Sequence, residues 1–180
     1  CGALTSVVIP DSVTSIGYWA FYGCNKLIQK ENGVSYVDKW AIACDLSVKS
    51  VMLKSDTVGI ADSSFSGCKA LTSITIPNGV KSIGNSAFDG CTSLASVVNP
   101  DGVASIGNYA FSGCTSLTSI TIPDGVTSIG EAAFDSCTSL TSIVVSDSVT
   151  TIDKRAFNNC YNLTTAYYGG TSIDWNDISI

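Results

Sequence analysis

LTSITIPDGVTSIGEAAFDSCTS, residues 117–139, repeats almost unchanged as LTSITIPNGVKSIGNSAFDGCTS at residues 71–93, with identity at 18 of 23 positions. The leading aliphatic residue recurs every 23 residues, apart from one step of 21, at Leu4, Leu27, Val48, Leu71, Leu94, Leu117, Leu140 and Leu163. A unit of this length cannot bury its apolar face alone, whereas stacked units share one core. The sequence therefore predicts a solenoid of about eight coils.

Each coil is predicted to contain three segments. The alternating apolar residues of Leu-x-x-Ile-x-Ile, as at Ile120 and Ile122, predict a short parallel β-strand. Pro-Asp-Gly at 123–125 predicts a turn in which proline fixes φ and glycine takes a strained position. The following Val-x-x-Ile-Gly predicts a second short extended segment. Ala-Phe-x-x-Cys, as at 133–137, has the spacing of a helical turn.

Composition excludes several classes of protein. The 180 residues are 45% hydrophobic and only 13% charged, which is incompatible with intrinsic disorder. The net charge of -6 argues against a nucleic-acid partner, which would require a basic face. Histidine is absent, so Ser-His and Cys-His catalytic pairs and histidine-bound metals are excluded. No apolar run reaches the roughly 18 residues of a transmembrane helix, and we expect neither a cofactor nor direct membrane insertion of this segment.

The pattern L-x-x-I-x-I-P-x-x-V-x-x-I-G-x-x-A-F-x-x-C resembles the BspA-type leucine-rich repeats of bacterial surface proteins. The resemblance covers essentially the whole chain, including Tyr167-Tyr168-Gly169-Gly170-Thr171 and Trp175-Asn176, which look like the closing segment of that family. It implies a leucine-rich repeat solenoid, export and a location at the cell surface or outside the cell. These repeats are a scaffold on which binding surfaces vary, so the resemblance does not identify a ligand.

The cysteines form one column of the repeat, and we expect a structural ladder of buried, reduced thiols. The column consists of Cys1, Cys24, Cys44, Cys68, Cys91, Cys114, Cys137 and Cys160. Stacked neighbours would lie about 4.8 Å apart with parallel Cβ vectors, which strains a disulfide. Buried cysteine behaves as a small apolar residue. Without a Cys-x-x-Cys pair or histidine, zinc is disfavoured.

The chain is predicted to be a single domain, residues 1–180, with one irregular coil at 27–47 and a C-terminal cap at 164–180. Thr171 to Asp174 fits a capping box, so we expect a short helix to about Ile178, with Trp175 covering the last coil. The chain starts in mid-repeat at Cys1, without a cap. Because an uncovered solenoid end promotes aggregation, we expect further repeats to precede it in a longer protein.

Three departures from the repeat are candidates for function. The 27–47 coil contains an Asn32-Gly33 turn and, with the next coil, the lysines 26, 30, 39, 49 and 54. It is either a recognition spot or a variant coil in which Tyr36 and Trp40 pack and the lysines solvate a face; we favour the variant coil.

Asn99 replaces an inward aliphatic residue, and Asp11, Asp101, Asp124 and Asp147 form a column in the turns. Turn chemistry explains these aspartates better than Ca²⁺ does.

The fifth position of the first strand provides the candidate binding face. It consists of Val8, Glu31, Met52, Thr75, Val98, Thr121, Val144 and Tyr167, flanked two residues earlier by seven polar Ser and Gln residues and Thr165. Binding hot spots favour Trp, Tyr and Arg, and only Tyr167 qualifies. A broad contact strengthened by avidity is therefore expected rather than a sharp pocket.

We expect a non-enzymatic, adhesion-type module that presents this face to a host or matrix protein or to a glycan. The alternative is a structural spacer that holds other domains away from the cell envelope, which suits the bland face and the acidic charge balance. An enzyme is disfavoured, because Glu131 and Asp135 belong to no catalytic motif and occupy predicted solvated positions.

Overall fold

The computed structural model describes residues 1–98 and 100–169. Those residues form fourteen short β-strands and no helix. In chain order the strands are β1 (Gln29–Glu31), β2 (Val34–Val37), β3 (Trp40–Cys44), β4 (Ser50–Met52), β5 (Gly59–Ile60), β6 (Ser73–Thr75), β7 (Ser82–Ile83), β8 (Ser96–Val98), β9 (Ser105–Ile106), β10 (Ser119–Ile122), β11 (Ser128–Ile129), β12 (Ser142–Val145), β13 (Thr151–Ile152) and β14 (Thr165–Tyr168). They build a β-solenoid.

Corresponding strands of successive coils pair in parallel. Ser50 of β4 pairs with Ser73 of β6, which pairs with Ser96 of β8, and β10, β12 and β14 form a second sheet in the same way. The second strands of the coils, β5, β7, β9, β11 and β13, form one eight-stranded sheet together with β3, β2 and β1. The pairing advances by 23 residues at each step, so equivalent repeat positions stack on one another. Parallel pairing defines about six coils, fewer than the eight predicted.

The Ala-Phe-x-x-Cys segment of each regular coil consists of consecutive turns, and the predicted helical turn is wrong. Ser86 and Gly90 have φ values of 51° and 69°, a left-handed backbone that a right-handed helix does not contain. The N–H groups of Ser86, Phe88 and Gly90 donate to carbonyl oxygens of the next coil at 2.7–2.8 Å, while the intervening N–H groups bond within their own coil. Alternate N–H groups thus bond to a neighbouring coil, whereas in an α-helix each N–H bonds to the carbonyl four residues earlier in the same segment.

These bonds between turn segments continue along the solenoid as three columns. The first runs from Ser63 to Asn85, Ser86 to Asn108, Tyr109 to Glu131 and Ala132 to Lys154, donor to acceptor. The second and third begin at Phe65 and Gly67 and advance by the same 23-residue step. In all three columns the N–H group of the earlier coil donates to the later coil.

The irregular 27–47 coil forms an antiparallel meander instead of a parallel coil. β1 pairs with β2 and β2 with β3, both antiparallel, and β3 then pairs in parallel with β5. Asn32 and Gly33 join β1 to β2 with φ values of 50° and 79°, the left-handed pair of a two-residue hairpin turn. The predicted tight turn is confirmed. The missing two residues of the step between Leu27 and Val48 reflect this change of topology.

One continuous apolar core follows the solenoid axis. The rings of Phe65, Phe88, Phe111, Phe134 and Phe157 stack with centroids 5.1–5.5 Å apart and nearly parallel planes. Burying one such side chain stabilises a fold by about 1.5–3 kcal/mol, and a stacked pair adds about 0.5–1.5 kcal/mol. Two smaller clusters, around Trp40 and around Val37, bury the meander against the N-terminal segment.

Glycine in the Pro-Asp-Gly turns is required by close packing rather than by a strained φ. Gly125 is absent from the residues with positive φ, so the predicted strained position is wrong. A Cβ atom on Gly125 would lie 2.5 Å from the backbone oxygen of Asp101 and 2.7 Å from that of Val103, both in the preceding coil. The stacking distance therefore excludes a side chain here.

The predicted C-terminal cap lies largely outside the described residues. Within it the structure shows only β14, which continues the parallel stack through pairing with β12. The predicted helix from Thr171 to Ile178, Trp175 and the variant position Asn99 all lie outside the described residues.

Candidate functional site

The candidate strand face becomes two short ladders of paired residues. Met52, Thr75 and Val98 are direct partners in the β4–β6–β8 sheet, and Thr121, Val144 and Tyr167 are partners in the β10–β12–β14 sheet. Met52, Thr75, Thr121, Val144 and Tyr167 are all exposed. Inward residues of the same strands, such as Ile74 and Ile120, are buried, so the predicted alternation holds.

The structure places the other two residues of this face differently. Glu31 lies on β1 of the antiparallel meander, where its strand partner is Val34. Its carboxylate forms an ion pair with the Lys54 ammonium group, 3.5 Å away. Val8 is exposed in a segment that forms no strand among the described residues. Its neighbour Ile9 donates its N–H to the carboxylate of Asp38, 2.9 Å away. The parallel ladders therefore begin at Met52.

Aromatic packing and ion pairs account for part of the basic region around the meander. Tyr36 and Trp40 are buried, and burial raises the pKa of the Tyr36 hydroxyl. Lys54 lies 4.6 Å above the Tyr36 ring, and Lys30 pairs with Asp45 at 2.7 Å. These contacts agree with the interpretation of this segment as a variant coil.

The cysteine column is a hydrogen-bonded ladder, which the sequence pattern does not reveal. Four of its thiols donate to the carbonyl oxygen of the phenylalanine 26 residues earlier, at 3.0–3.3 Å, in the pairs Cys91–Phe65, Cys114–Phe88, Cys137–Phe111 and Cys160–Phe134. Burial raises the pKa of the Cys91 thiol to about 12 and that of Cys114 further. Buried thiols of this kind are poor nucleophiles, because only the thiolate reacts.

A disulfide joins Cys1 to Cys24, so the expectation that the whole column is reduced is wrong at its N-terminal end. The other six cysteines are free, and Cys68, Cys91, Cys114 and Cys137 are buried. Cys1 and Cys24 are one 23-residue step apart, and their Cα atoms lie 5.0 Å from each other, within the range that disulfides span.

The acidic turn column lies beside the second ladder of the strand face. Asp101, Asp124 and Asp147 line an open hollow of about 330 Å³ together with Thr121 and Val144. Within residues 1–98 and 100–169, no group of three Cys, Asp or Glu side chains could hold a metal ion. The residues that line the hollow give it an acidic, partly apolar surface.

An exposed aromatic cluster in the first turn segment is not predicted by the repeat pattern. Tyr18 stacks on Trp19 with ring centroids 4.5 Å apart, and Tyr22 lies against Trp19 at 5.6 Å. Their exposed fractions are 59%, 67% and 79%. Trp19 and Tyr22 form the rim of a cavity of about 350 Å³ between this turn segment and β3.

The signal for this cluster was present in the sequence but lay outside the strand columns. Trp19 occupies the turn position at which later coils carry Ser63, Ser86, Tyr109, Ala132 and Arg155. All of these residues have positive φ. A bulky aromatic residue at a position that later coils fill mainly with small or polar residues marks the first turn segment as different.

The chain is similar to known proteins both in sequence and in structure. The family model described as BspA type leucine-rich repeat region matches residues 1–91 and 58–177 with six copies. A leucine-rich cell surface protein of Faecalibacterium prausnitzii has a similar crystal structure, with 32% identity and a TM-score of 0.84, over 98% of this chain and 51% of that protein.

Two further solved structures are similar. A leucine-rich repeat protein of T. pallidum is 35% identical with a TM-score of 0.68, over 71% of this chain and 62% of that one. A leucine-rich repeat protein of Eubacterium ventriosum is 27% identical with a TM-score of 0.75, over 91% and 48%. This chain thus spans about half to two thirds of the length of these three proteins. No match is found among curated proteins.

Proposed function

Because the chain belongs to the BspA-type leucine-rich repeat family, we propose that it is a non-enzymatic interaction module of a bacterial cell-surface protein. Its ligand would be a host or matrix protein or a glycan, bound in an adhesion-type contact. Similarity to a protein described as a leucine-rich cell surface protein supports the location. The described residues contain no helix long and apolar enough to cross a membrane.

The observation that carries this proposal is the alignment of the strand face. Parallel pairing places outward side chains of successive coils next to one another, at about 4.8 Å intervals. Met52, Thr75, Thr121 and Val144 carry no charge, so a partner can cover them without desolvating an ion. Many weak contacts along such a row become strong when the ligand is itself repetitive.

A structural spacer remains the second candidate, and the chemistry of the same face favours it. Of the described outward residues in the two ladders, only Tyr167 is of a type common in binding hot spots. A spacer needs a stiff stack with a soluble surface and no ligand.

A binding screen separates these functions. The folded chain is immobilised and tested against extracellular-matrix proteins, mucins and a glycan array at physiological salt. Met52→Lys and Val144→Lys place a charge on the face, and Ala104→Lys is the matched control, since the equivalent residue one coil earlier is Lys81. We expect a saturable ligand whose affinity falls at least about tenfold in both face variants and not in the control. Equal binding by all three variants contradicts the assigned face, and absence of any ligand favours the spacer.

A further inference from the structure

We propose that the first turn segment binds a neutral sugar ring in the cavity rimmed by Trp19 and Tyr22. This inference rests on the proposed binding function, for which it names a ligand class and a second location. It concerns a different surface from the strand face, because the turn segments and first strands occupy different parts of each coil.

The three aromatic side chains form one exposed, stacked cluster. Tyr18 and Trp19 are stacked with an interplanar angle of 24°, and Tyr22 is tilted by 38° against Trp19. More than half of each residue's surface is exposed to solvent. The phenylalanines of the later coils, by contrast, stack inside the core. An exposed cluster of Trp and Tyr is a feature of binding sites, since these rings provide a large contact area with little loss of conformational entropy on binding.

The cavity that Trp19 and Tyr22 help to line has the size and the lining of a small-ligand site. Its volume of about 350 Å³ lies at the lower end of the usual range of about 300–1,000 Å³. Ile16, Phe21, Ile28 and Ile42 provide apolar walls, and Asn25 provides an amide at the edge. None of the described residues that line it is Lys, Arg, Asp or Glu.

The chemistry of the rim selects the ligand class. Tyr and Trp combine an apolar ring face with a polar O–H or N–H at the edge. A pyranose ring has the complementary arrangement, with C–H groups on its faces and hydroxyl groups around its edge. An apolar peptide side chain would use the walls but would leave the polar groups of Trp19 and Tyr22 without a role.

Charge restricts the class further, to neutral sugars. The lining contains no cation to pair with a carboxylate, and the chain carries a net charge of -6. The net charge would therefore repel acidic sugars. A sugar carboxylate that entered the cavity would also be buried without a counter-charge, which is unfavourable. Neutral hexoses and N-acetylhexosamines meet neither obstacle.

Titration with defined sugars tests the proposal. The probes are neutral oligosaccharides of glucose, galactose, mannose and N-acetylglucosamine, a sialylated oligosaccharide, and N-acetyl-tryptophanamide as an apolar ring. Calorimetry and saturation-transfer NMR are applied to the original chain and to Trp19→Ala, Tyr22→Ala and Trp19→Phe. Tyr109→Ala is the matched control, because Tyr109 is a 41% exposed aromatic residue at the turn position of Trp19 but does not line the cavity.

We expect at least one neutral oligosaccharide to bind, with an affinity reduced about tenfold or more in Trp19→Ala and Tyr22→Ala, partly retained in Trp19→Phe and unchanged in Tyr109→Ala. Circular dichroism of each variant verifies that the chain is folded. Absence of binding by every neutral sugar overturns the inference. Binding of N-acetyl-tryptophanamide alone also overturns it, in favour of a peptide ligand.

The strand-face variants distinguish this inference from the proposed function. If a sugar binds and its affinity depends on Met52 and Val144 instead of Trp19, the cavity is the wrong site although the module binds a ligand. If a matrix protein binds and no sugar does, the proposed function stands without the sugar site. If neither class of ligand binds, both proposals fail.

Discussion

The thiol of Cys91 donates a hydrogen bond to the backbone oxygen of Phe65, 3.0 Å away in the preceding coil. The same bond recurs at Cys114, Cys137 and Cys160. In each case the thiol is a second donor to a phenylalanine carbonyl oxygen, which also accepts the backbone N–H of the cysteine three residues further along its own coil. Cysteine thus combines two properties at this position, a small apolar volume and a weak donor.

Stability should fall above about pH 9, because these thiols cannot ionise while buried. Burial raises the pKa of Cys91 from 9.0 to about 12 and also raises that of Cys114. Above pH 9 the unfolded chain loses these protons while the folded chain keeps them, so the free energy of unfolding decreases as the pH rises. The decrease is at most about 1.4 kcal/mol per pH unit for each thiol.

Urea denaturation at pH 7, 8, 9 and 10 measures this dependence. Tyrosine and lysine titrate in the same range, so Cys91→Ala with Cys114→Ala serves as the reference. The double variant should show a shallower loss between pH 9 and 10. An identical slope in both proteins would mean that the thiols ionise while the chain is folded.

Six thiols should react in the denatured, unreduced protein, and eight after reduction. The two additional thiols belong to Cys1 and Cys24, which form the disulfide. A chromogenic thiol reagent in guanidinium chloride gives the count directly. Cys24→Ser should leave Cys1 reactive without reduction, and a count of eight before reduction would exclude the bond.

Thr57→Val and Ser64→Ala should each stabilise the protein by about 1 kcal/mol. Both hydroxyl groups are buried without a hydrogen-bond partner. The equivalent positions in the next coil are Val80 and Ala87, which are fully buried, so the substitutions copy a side chain that the fold already accommodates. Thermal and urea unfolding measure the gain.

Val80→Thr is the reciprocal control for these two changes. It places a hydroxyl group in an equivalent buried position and should destabilise by about 1–3 kcal/mol. Destabilisation by Thr57→Val would show that the Thr57 hydroxyl has a partner in solution.

Gly59→Ser should destabilise the junction between the meander and the first regular coil. Trp40 packs so closely on Gly59 that a Cβ atom there would overlap its ring. The later coils have Ser82, Ser105 and Ser128 at this position, without a tryptophan above them. We expect a loss of about 1–3 kcal/mol from overpacking, and a smaller loss for Ser82→Gly. Trp40→Val should reduce the cost of Gly59→Ser; no such coupling would contradict the packing argument.

The sequence repeat predicts the register of the solenoid because stacking adds one 23-residue step at each coil. Ile74 and Ile120 are therefore correctly predicted as inward residues, and Met52 and Val144 as outward ones. The turn segment is predicted wrongly because residue spacing does not determine backbone handedness. The glycines at positions 67, 90 and 113 were the available signal for a left-handed residue.

The two candidate sites differ in how far the sequence repeat predicts them. The strand face follows from alternation along β-strands, so its residues can be identified without a structure. The cavity beside Trp19 cannot, since it forms between the first turn segment and β3, which belongs to the one coil that leaves the repeat. Contacts between unlike segments carry no periodic signal.

The three hydrogen-bonded columns of the turn segments have an electrical consequence. A trans peptide unit directs its N–H and C=O groups oppositely, so the unit between Asn85 and Ser86 accepts from Ser63 on one side and donates to Asn108 on the other. Every unit in the columns points the same way, and their dipoles add as they do in an α-helix. The turn side of the solenoid therefore acts as an axial dipole, positive towards the C-terminal coils, that lengthens with each added coil.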